Sequence, residues 1–309
     1  MPCELKHRGR DGVLALTSKH TIAVFGSTGQ LGTDLVKVLR QKPEFDVVAL
    51  SHGDADCTKA AVVSRVVLRL RPHTVINCAA FVRVDDCEDQ ANLAFEVNAI
   101  GAFNVARACA AIDARCVYIG TDYVFDGMKE DAYVESDQAN PINVYGASKL
   151  AGEHLVRQTV PRWLIVRVAS LFGTTGARGK GGNFIETILA RAKKGDPLKV
   201  VDDIRISPTY TQDAAKVVRQ LLKKEVTGVV HASNGGSCTW CEFARQILKF
   251  TDIDVRLEPV LSNEYPVKAR RPANSALISQ RSPELFDQAP RTWQQALKHY
   301  LEKKGHIRL

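Results

Sequence analysis

Tyr145 and Lys149 stand four residues apart in Tyr145-Gly-Ala-Ser-Lys149, a spacing that puts a phenol and an ammonium one helical turn apart on one face. A phenol, with a free pKa about 10, is a poor acid–base group at neutral pH unless its anion is stabilised. A neighbouring ammonium supplies that stabilisation. Upstream, Thr121 opens Thr121-Asp122-Tyr123-Val124-Phe125 at the end of a short apolar run. From there its hydroxyl can bond a substrate oxygen and help fix a proton path. The three side chains together suit acid–base work at a substrate oxygen.

A second constellation lies near the start of the chain. Gly26-Ser-Thr28-Gly29-Gln30-Leu31-Gly32 follows the β-branched run Thr21–Phe25 and precedes a helical stretch, Asp34 to Arg40. At such a strand-to-helix junction Gly26 permits a tight turn, Gly29 lets backbone approach a pyrophosphate, and Gly32 allows close packing. The anion then rests on unpaired N–H groups at the helix start. Lys149 would reach the ribose of a nicotinamide held there. The next strand, Val47 to Leu50, ends in Ser51-His52-Gly53 with no carboxylate, where dinucleotide sites that prefer NAD carry an acid for the ribose 2′-OH. Ser51 and His52 can instead donate to a 2′-phosphate, which points to NADPH with NADH as second candidate. His52 as a solvated turn residue is the equal alternative. Asp56 is placed to bond the adenine amino group.

These residues need a frame. Short apolar runs at 21–25, 47–50, 74–77, 116–119 and 163–168 alternate with helical stretches at 34–40, 62–70, 98–111 and 145–158. The alternation predicts βαβ units and a doubly wound parallel sheet of the Rossmann kind. It loosens beyond about residue 170. Gly173 to Gly182 holds five glycines in ten residues and reads as a mobile loop. Helices follow at 184–194, 213–223, 239–250 and 292–302, a strand at 228–231, and an irregular stretch from Pro259 to Pro272. The expected organisation is a leader over 1–19, a dinucleotide-binding domain over 20–170, and a smaller substrate lobe over 171–309. The segment 205–235 is expected to fold back onto the main sheet.

Composition narrows the classes. Of 309 residues, 45% are apolar and 25% charged, as in ordinary globular chains. The longest apolar stretch, Trp163 to Phe172, is broken by Arg167 and is far shorter than the ~18 residues of a membrane span. The net charge is +8, but the two ends supply most of it, and the near-neutral body argues against nucleic acid as a partner. Eight cysteines without a secretory signal read as reduced thiols of a cytosolic protein. Cys238-Thr-Trp-Cys241 lacks the second pair that a metal site needs, so no metal is expected.

GSTGQLG at 26–32, NCAA at 77–80, TDYVFDG at 121–127 and PINVYGASKLAGE at 141–153 make the chain resemble the extended short-chain dehydrogenase/reductases. Among them it is most similar to the dTDP-4-dehydrorhamnose reductases, with NF at 183–184, PTY at 208–210 and RPANSAL at 271–277 as further matches. The resemblance implies reduction of the 4-keto group of a 4-keto-6-deoxy sugar carried on a nucleoside diphosphate. It implies that Gly29, Gln30 and Leu31 contact the cofactor pyrophosphate, with Gly26 and Thr28 in the same turn. Asp56 and Cys57 would meet the adenine end, and Ala79, Ala80 and Phe81 the nicotinamide-side loop. Tyr123, Phe125 and Asn183 would face the sugar. Arg205 and Arg271 are candidates for the diphosphate or are structural ion-pair residues.

Two departures fall in the sugar-facing half. The family often has a tryptophan after the strand holding Arg167, where Arg167-Val-Ala-Ser170-Leu-Phe172 stands instead, and Asp203-Ile-Arg205-Ile-Ser-Pro208-Thr209 lacks the family's Gln and Gly. The same superfamily contains the NADP-binding regulatory subunit of methionine adenosyltransferase, which implies an alternative: a subunit that tunes a synthetase partner without turnover. A dehydratase is disfavoured, because Asp122-Tyr123 offers no Asp-Glu pair. Relatives of this kind are often homodimers.

Overall fold

The computed structural model describes residues 19–175, 182–286 and 288–308. Most of the expected leader and of the Gly173–Gly182 loop lies outside the described residues. Strand and helix alternate through β1 (His20–Phe25), α1 (Gln30–Arg40), β2 (Phe45–Leu50), α2 (Ala60–Leu70) and β3 (Thr74–Asn77). Short helices α3 (Val84–Asp89) and α4 (Ala91–Phe95) and a π turn at Glu96–Ile100 lead into α5 (Gly101–Ala110). Then come β4 (Arg115–Thr121), α6 (Val144–Thr159), β5 (Trp163–Val168) and β6 (Leu171–Phe172). The rest holds α7 (Phe184–Ala192), β7 (Leu198–Val201), β8 (Arg205–Ile206), β9 (Thr209–Tyr210), α8 (Thr211–Lys223) and β10 (Gly228–His231). It closes with β11 (Cys238–Thr239), α9 (Trp240–Thr251), β12 (Leu257–Val260), α10 (Ser282–Leu285) and α11 (Trp293–Lys303).

Side chains alternate across the strands, and both faces are covered. Ile22, Val24, Ile76, Val117 and Leu164 pack against α1 and α8 on one side. Ala23, Phe25, Val75, Cys116, Tyr118 and Ile165 pack against α2, α5 and α6 on the other. The result is a six-stranded parallel sheet in the order β2-β1-β3-β4-β5-β10. Winding reverses between β1 and β3, and the crevice at the carboxyl ends of those strands is where such sheets bind ligands. β10 and α8, from the segment after residue 205, complete this sheet and its cover. A smaller lobe is built by α7, α9 and α11 around Phe172, Ile185, Phe243, Trp293 and Tyr300.

Several boundaries differ from the sequence expectation. The helix expected from Asn98 is a π turn through residue 100 followed by α5, and the Asn98 amide is turned inward to a loop. Helix α1 starts at Gln30, inside the glycine motif rather than after it. α3 and α4 are too short to show a helical period in the sequence. The stretch from Pro259 is irregular only after Val260, since Leu257–Val260 pairs in parallel with β7. Cys238 and Cys241 are both buried in the lobe core. Among the described residues no group of three or more His, Cys, Asp or Glu could hold a metal, and no helix is long and apolar enough to cross a membrane.

Candidate active site

The turn after β1 is shaped by close approach. Gly26 has φ +70°, in the left-handed region, and a Cβ there would lie 2.8 Å from the Ala79 nitrogen. Gly29 N donates to Gly26 O at 3.0 Å and caps α1 without any side-chain bond, and the first helical turn carries no acid. The opening N–H groups of α1 are therefore free for an anion. Gly29, Gln30, Leu31 and Gly32 line a cleft of about 510 Å³, while Thr28 sits half-buried in the turn. Gln30 Nε2 donates to Leu171 O across the cleft at 3.3 Å. An uncapped helix start behind a glycine bend fits a dinucleotide pyrophosphate.

The adenine-side corner is not free of carboxylates, contrary to the sequence expectation. Asp54 folds back so that Ser51 N and Ser51 Oγ both donate to its Oδ2, at 2.8 and 2.6 Å. His52 is exposed. Asp56 accepts from Thr58 N and Oγ1, both at 2.9 Å, and Cys57 is buried against Gly101. None of these residues lines the 510 Å³ cleft.

Tyr145, Lys149 and Thr121 do line it, together with Asp122, Tyr123, Cys78 and Ala80. The start of α6 is pinned by Asn143, whose Oδ1 accepts from Gly146 N, and by Glu88, which accepts from Val144 N. Tyr145 packs edge-on to Tyr123 with ring centres 5.8 Å apart. Burial pushes the Tyr145 phenol well above its usual pKa, while hydrogen bonding to Thr121 works the other way. Lys149 is buried, and its Nζ donates to Ile119 O at 2.7 Å, over the Tyr118 ring at 4.1 Å. Burial lowers its pKa to about 8. Burial is the larger effect on the Tyr145 phenol, and the Lys149 ammonium donates to a strand carbonyl. Thr121 Oγ1 donates to Asp122 Oδ1 at 3.0 Å and accepts from Tyr123 N.

The loop after β3 is held by a residue the sequence reading passed over. Asn98 accepts from Phe81 N and donates to Phe81 O and to Ser148 Oγ, and its own carbonyl accepts from Tyr118. Ala79 N donates to Asn77 Oδ1, and Ala80 reaches the cleft. A polar residue on an otherwise apolar helix face was the signal.

On the sugar-facing side the structure redistributes the candidates. Phe125 does not reach the cleft: it is fully buried, stacked on Tyr133 at 4.2 Å. Arg205 is exposed on β8 and bonds Ser237 Oγ, outside the cleft lining. Asn183 lines the cleft, but its amide is spent capping α7 and bonding Gly173 O and Tyr300 Oη. A second cleft of about 790 Å³ shares the wall residues Val84, Tyr123 and Trp240 with the first. Arg271 lines it and pairs with Asp85 at 2.9 Å, and Arg83 and Tyr265 lie there too. Trp240 lies inside the Cys238–Cys241 spacing, which was weighed for a metal alone, and Asp85 sits in no recognisable motif.

A doubly wound sheet with a glycine bend facing a Tyr-x-x-x-Lys helix defines a short-chain dehydrogenase/reductase of the extended type. Comparison narrows the class. The model of the RmlD substrate binding domain family matches residues 20–305. A spore coat polysaccharide biosynthesis protein of Bacillus subtilis is 37% identical over 284 residues, covering 92% of this chain and 98% of that protein. The dTDP-4-dehydrorhamnose reductase of Aggregatibacter actinomycetemcomitans is 34% identical over 290 residues, covering 90% and 97%. The crystal structure of dTDP-4-dehydrorhamnose reductase from Bacillus anthracis in complex with NADP superposes with a TM-score of 0.87 at 36% identity, covering 92% and 99%. The chain belongs to the RmlD, dTDP-4-dehydrorhamnose reductase family of oxidoreductases.

Proposed function

We propose that this chain reduces the 4-keto group of a nucleoside-diphosphate 4-keto-6-deoxy sugar with NADPH, with Tyr145 as the proton donor. The observation that carries the reading is a single cleft lined by both the glycine bend and the Tyr145–Lys149–Thr121 set. Bound on the bend, a reduced nicotinamide supplies the hydride. Tyr145 gives its proton to the C4 oxygen, so the carbonyl becomes a carbinol. A phenol kept protonated by burial is suited to this direction, because the proton is present when the oxygen turns basic. Lys149 bonds the ribose and stabilises the phenolate left behind. Thr121, anchored by Asp122, orients Tyr145. The nucleotide part extends into the 790 Å³ cleft, where Trp240 and Tyr265 offer aromatic faces and Arg271 and Arg83 offer charge.

Similarity to the NADP-bound relative supports NADPH, although the Asp54 carboxylate leaves room for NADH. The test is nicotinamide absorbance on mixing the chain with NADPH and dTDP-4-keto-6-deoxy sugar. Tyr145→Phe should lose about 100-fold or more in turnover, the usual worth of a general acid, while NADPH affinity stays within about twofold. Retained turnover removes Tyr145 from the role. No turnover in the unmodified chain, with a synthetase copurifying, restores the regulatory alternative.

A further inference from the structure

The buried stripe of α6 carries a third residue in line with Tyr145 and Lys149. Glu153 lies one turn beyond the lysine. It is 4% exposed, and its two oxygens accept from Arg167 Nε at 3.0 and 3.2 Å and from Nη2 at 2.7 Å. Arg167 stands on β5 in register with Gly120 of β4. A Cβ on residue 120 would lie 2.6 Å from Glu153 Oε1 and 2.9 Å from Arg167 Cγ, so the absent side chain is what admits the pair. The Lys149 ammonium bonds the carbonyl of Ile119, the preceding residue. Carboxylate, guanidinium and ammonium therefore close on one dipeptide of β4, and that dipeptide lines the cleft.

Stability is a poor reason for this arrangement. A buried ion pair is often no better than apolar side chains of the same volume. Arg167 Nη1, moreover, is buried with no hydrogen-bond partner among the described residues, which costs free energy.

We propose that Glu153, clamped by Arg167 in the space left by Gly120, is a positioning residue of the reduction that keeps the Lys149 ammonium charged beneath Tyr145. The proposal rests on the role given to Lys149 above. The groups facing that ammonium are Glu153 on its own helix, Tyr118 on β4, Cys78 after β3 and Cys57 after β2, with Tyr145 one turn back along the helix. Burial drives the ammonium's pKa down, and Glu153 leads the groups that push it back up. Burial also raises both thiols, which keeps them neutral. The phenols are neutral for the same reason. Glu153, paired with Arg167, is the carboxylate of this set.

The experiment follows the Lys149 signal by NMR in 13Cε-lysine-labelled protein without ligands, assigned by its loss in Lys149→Met. Glu153→Gln leaves Arg167 unpaired and risks misfolding, so the double variant Glu153→Met/Arg167→Met is measured beside it, since apolar replacement of a buried pair is tolerated. In either folded variant the Lys149 titration should move down by about half a pH unit or more, a close opposite charge being worth about 1–3 units. The alkaline limb of kcat should move with it, while KM for the sugar nucleotide stays unchanged. A folded double variant whose Lys149 titration is unmoved overturns the proposal, whatever its melting temperature. A shifted titration with an unmoved rate limb overturns the role assigned to Lys149, and with it the link from Glu153 to turnover.

Discussion

Replacing Gly32 by alanine sets two backbone effects against each other within one turn. Alanine in a helix interior is better than glycine by about 1 kcal/mol. The added methyl carbon, however, would lie 2.2 Å from Gly26 O and 2.9 Å from Ser27 Cα. Both atoms belong to the turn's own backbone, so no rotamer change relieves the clash and the Gly26–Gly29 bend must move. Overpacking of this kind costs about 1–3 kcal/mol and often exceeds the propensity gain. A net loss of up to about 2 kcal/mol lowers the melting temperature by up to about 6 °C in a chain of this size. NADPH binding suffers more directly, because the N–H groups that meet the pyrophosphate are carried by the displaced turn. Fluorescence titration should show dissociation constants raised about tenfold or more, equivalent to about 1.4 kcal/mol. Gly53→Ala is the control: its Cβ would meet only Ser51 Oγ at 3.8 Å, and neither quantity should change. A Gly32→Ala protein that melts and binds NADPH like the parent would refute the assignment of this bend to the cofactor.

Other expectations are more local. Lys149 has a pKa lowered to about 8 and acts as the ammonium, so turnover should fall as pH rises through about 8; a rate that stays flat to pH 10 contradicts this. Ser170 holds φ +41° at the wall of the cleft. Ser170→Gly relieves strain of about 1–3 kcal/mol against an entropy cost of about 0.5–1, so the melting temperature should rise; an unchanged or lower melting temperature would show that no strain is held there. Asp54→Ala frees both Ser51 donors and should raise NADPH affinity over NADH by about threefold or more, about 0.65 kcal/mol on the affinity scale. An unchanged ratio of dissociation constants places the 2′ group elsewhere.

The sheet was legible because its strands are short, β-branched and separated by turns, and the register needs little beyond that alternation. The bend at Gly26–Gly32 and the Tyr145–Lys149 pair were legible because both are local in sequence. What failed depends on side-chain contacts, only some of them remote along the chain. Asp54 returns to Ser51 through a turn that spacing does not announce. Phe125 lies in a motif facing the cleft, yet packs on Tyr133 beneath it. Glu153 carried a local sign, the same i, i+4 step that joins Tyr145 to Lys149. Its meaning, however, came only from Arg167, fourteen residues on and one strand away. Asn98 is similar: its amide reaches Phe81, seventeen residues back, which no helical period foretells.

The central claim is hydride and proton delivery to one carbonyl, and NADPH dideuterated at nicotinamide C4 tests it most directly. Incubated with the chain and dTDP-4-keto-6-deoxy sugar, it should yield a carbinol bearing one deuterium at the sugar C4, read by mass spectrometry and NMR. A product with no deuterium at that carbon, or a nicotinamide left unoxidised beside intact substrate, would contradict it.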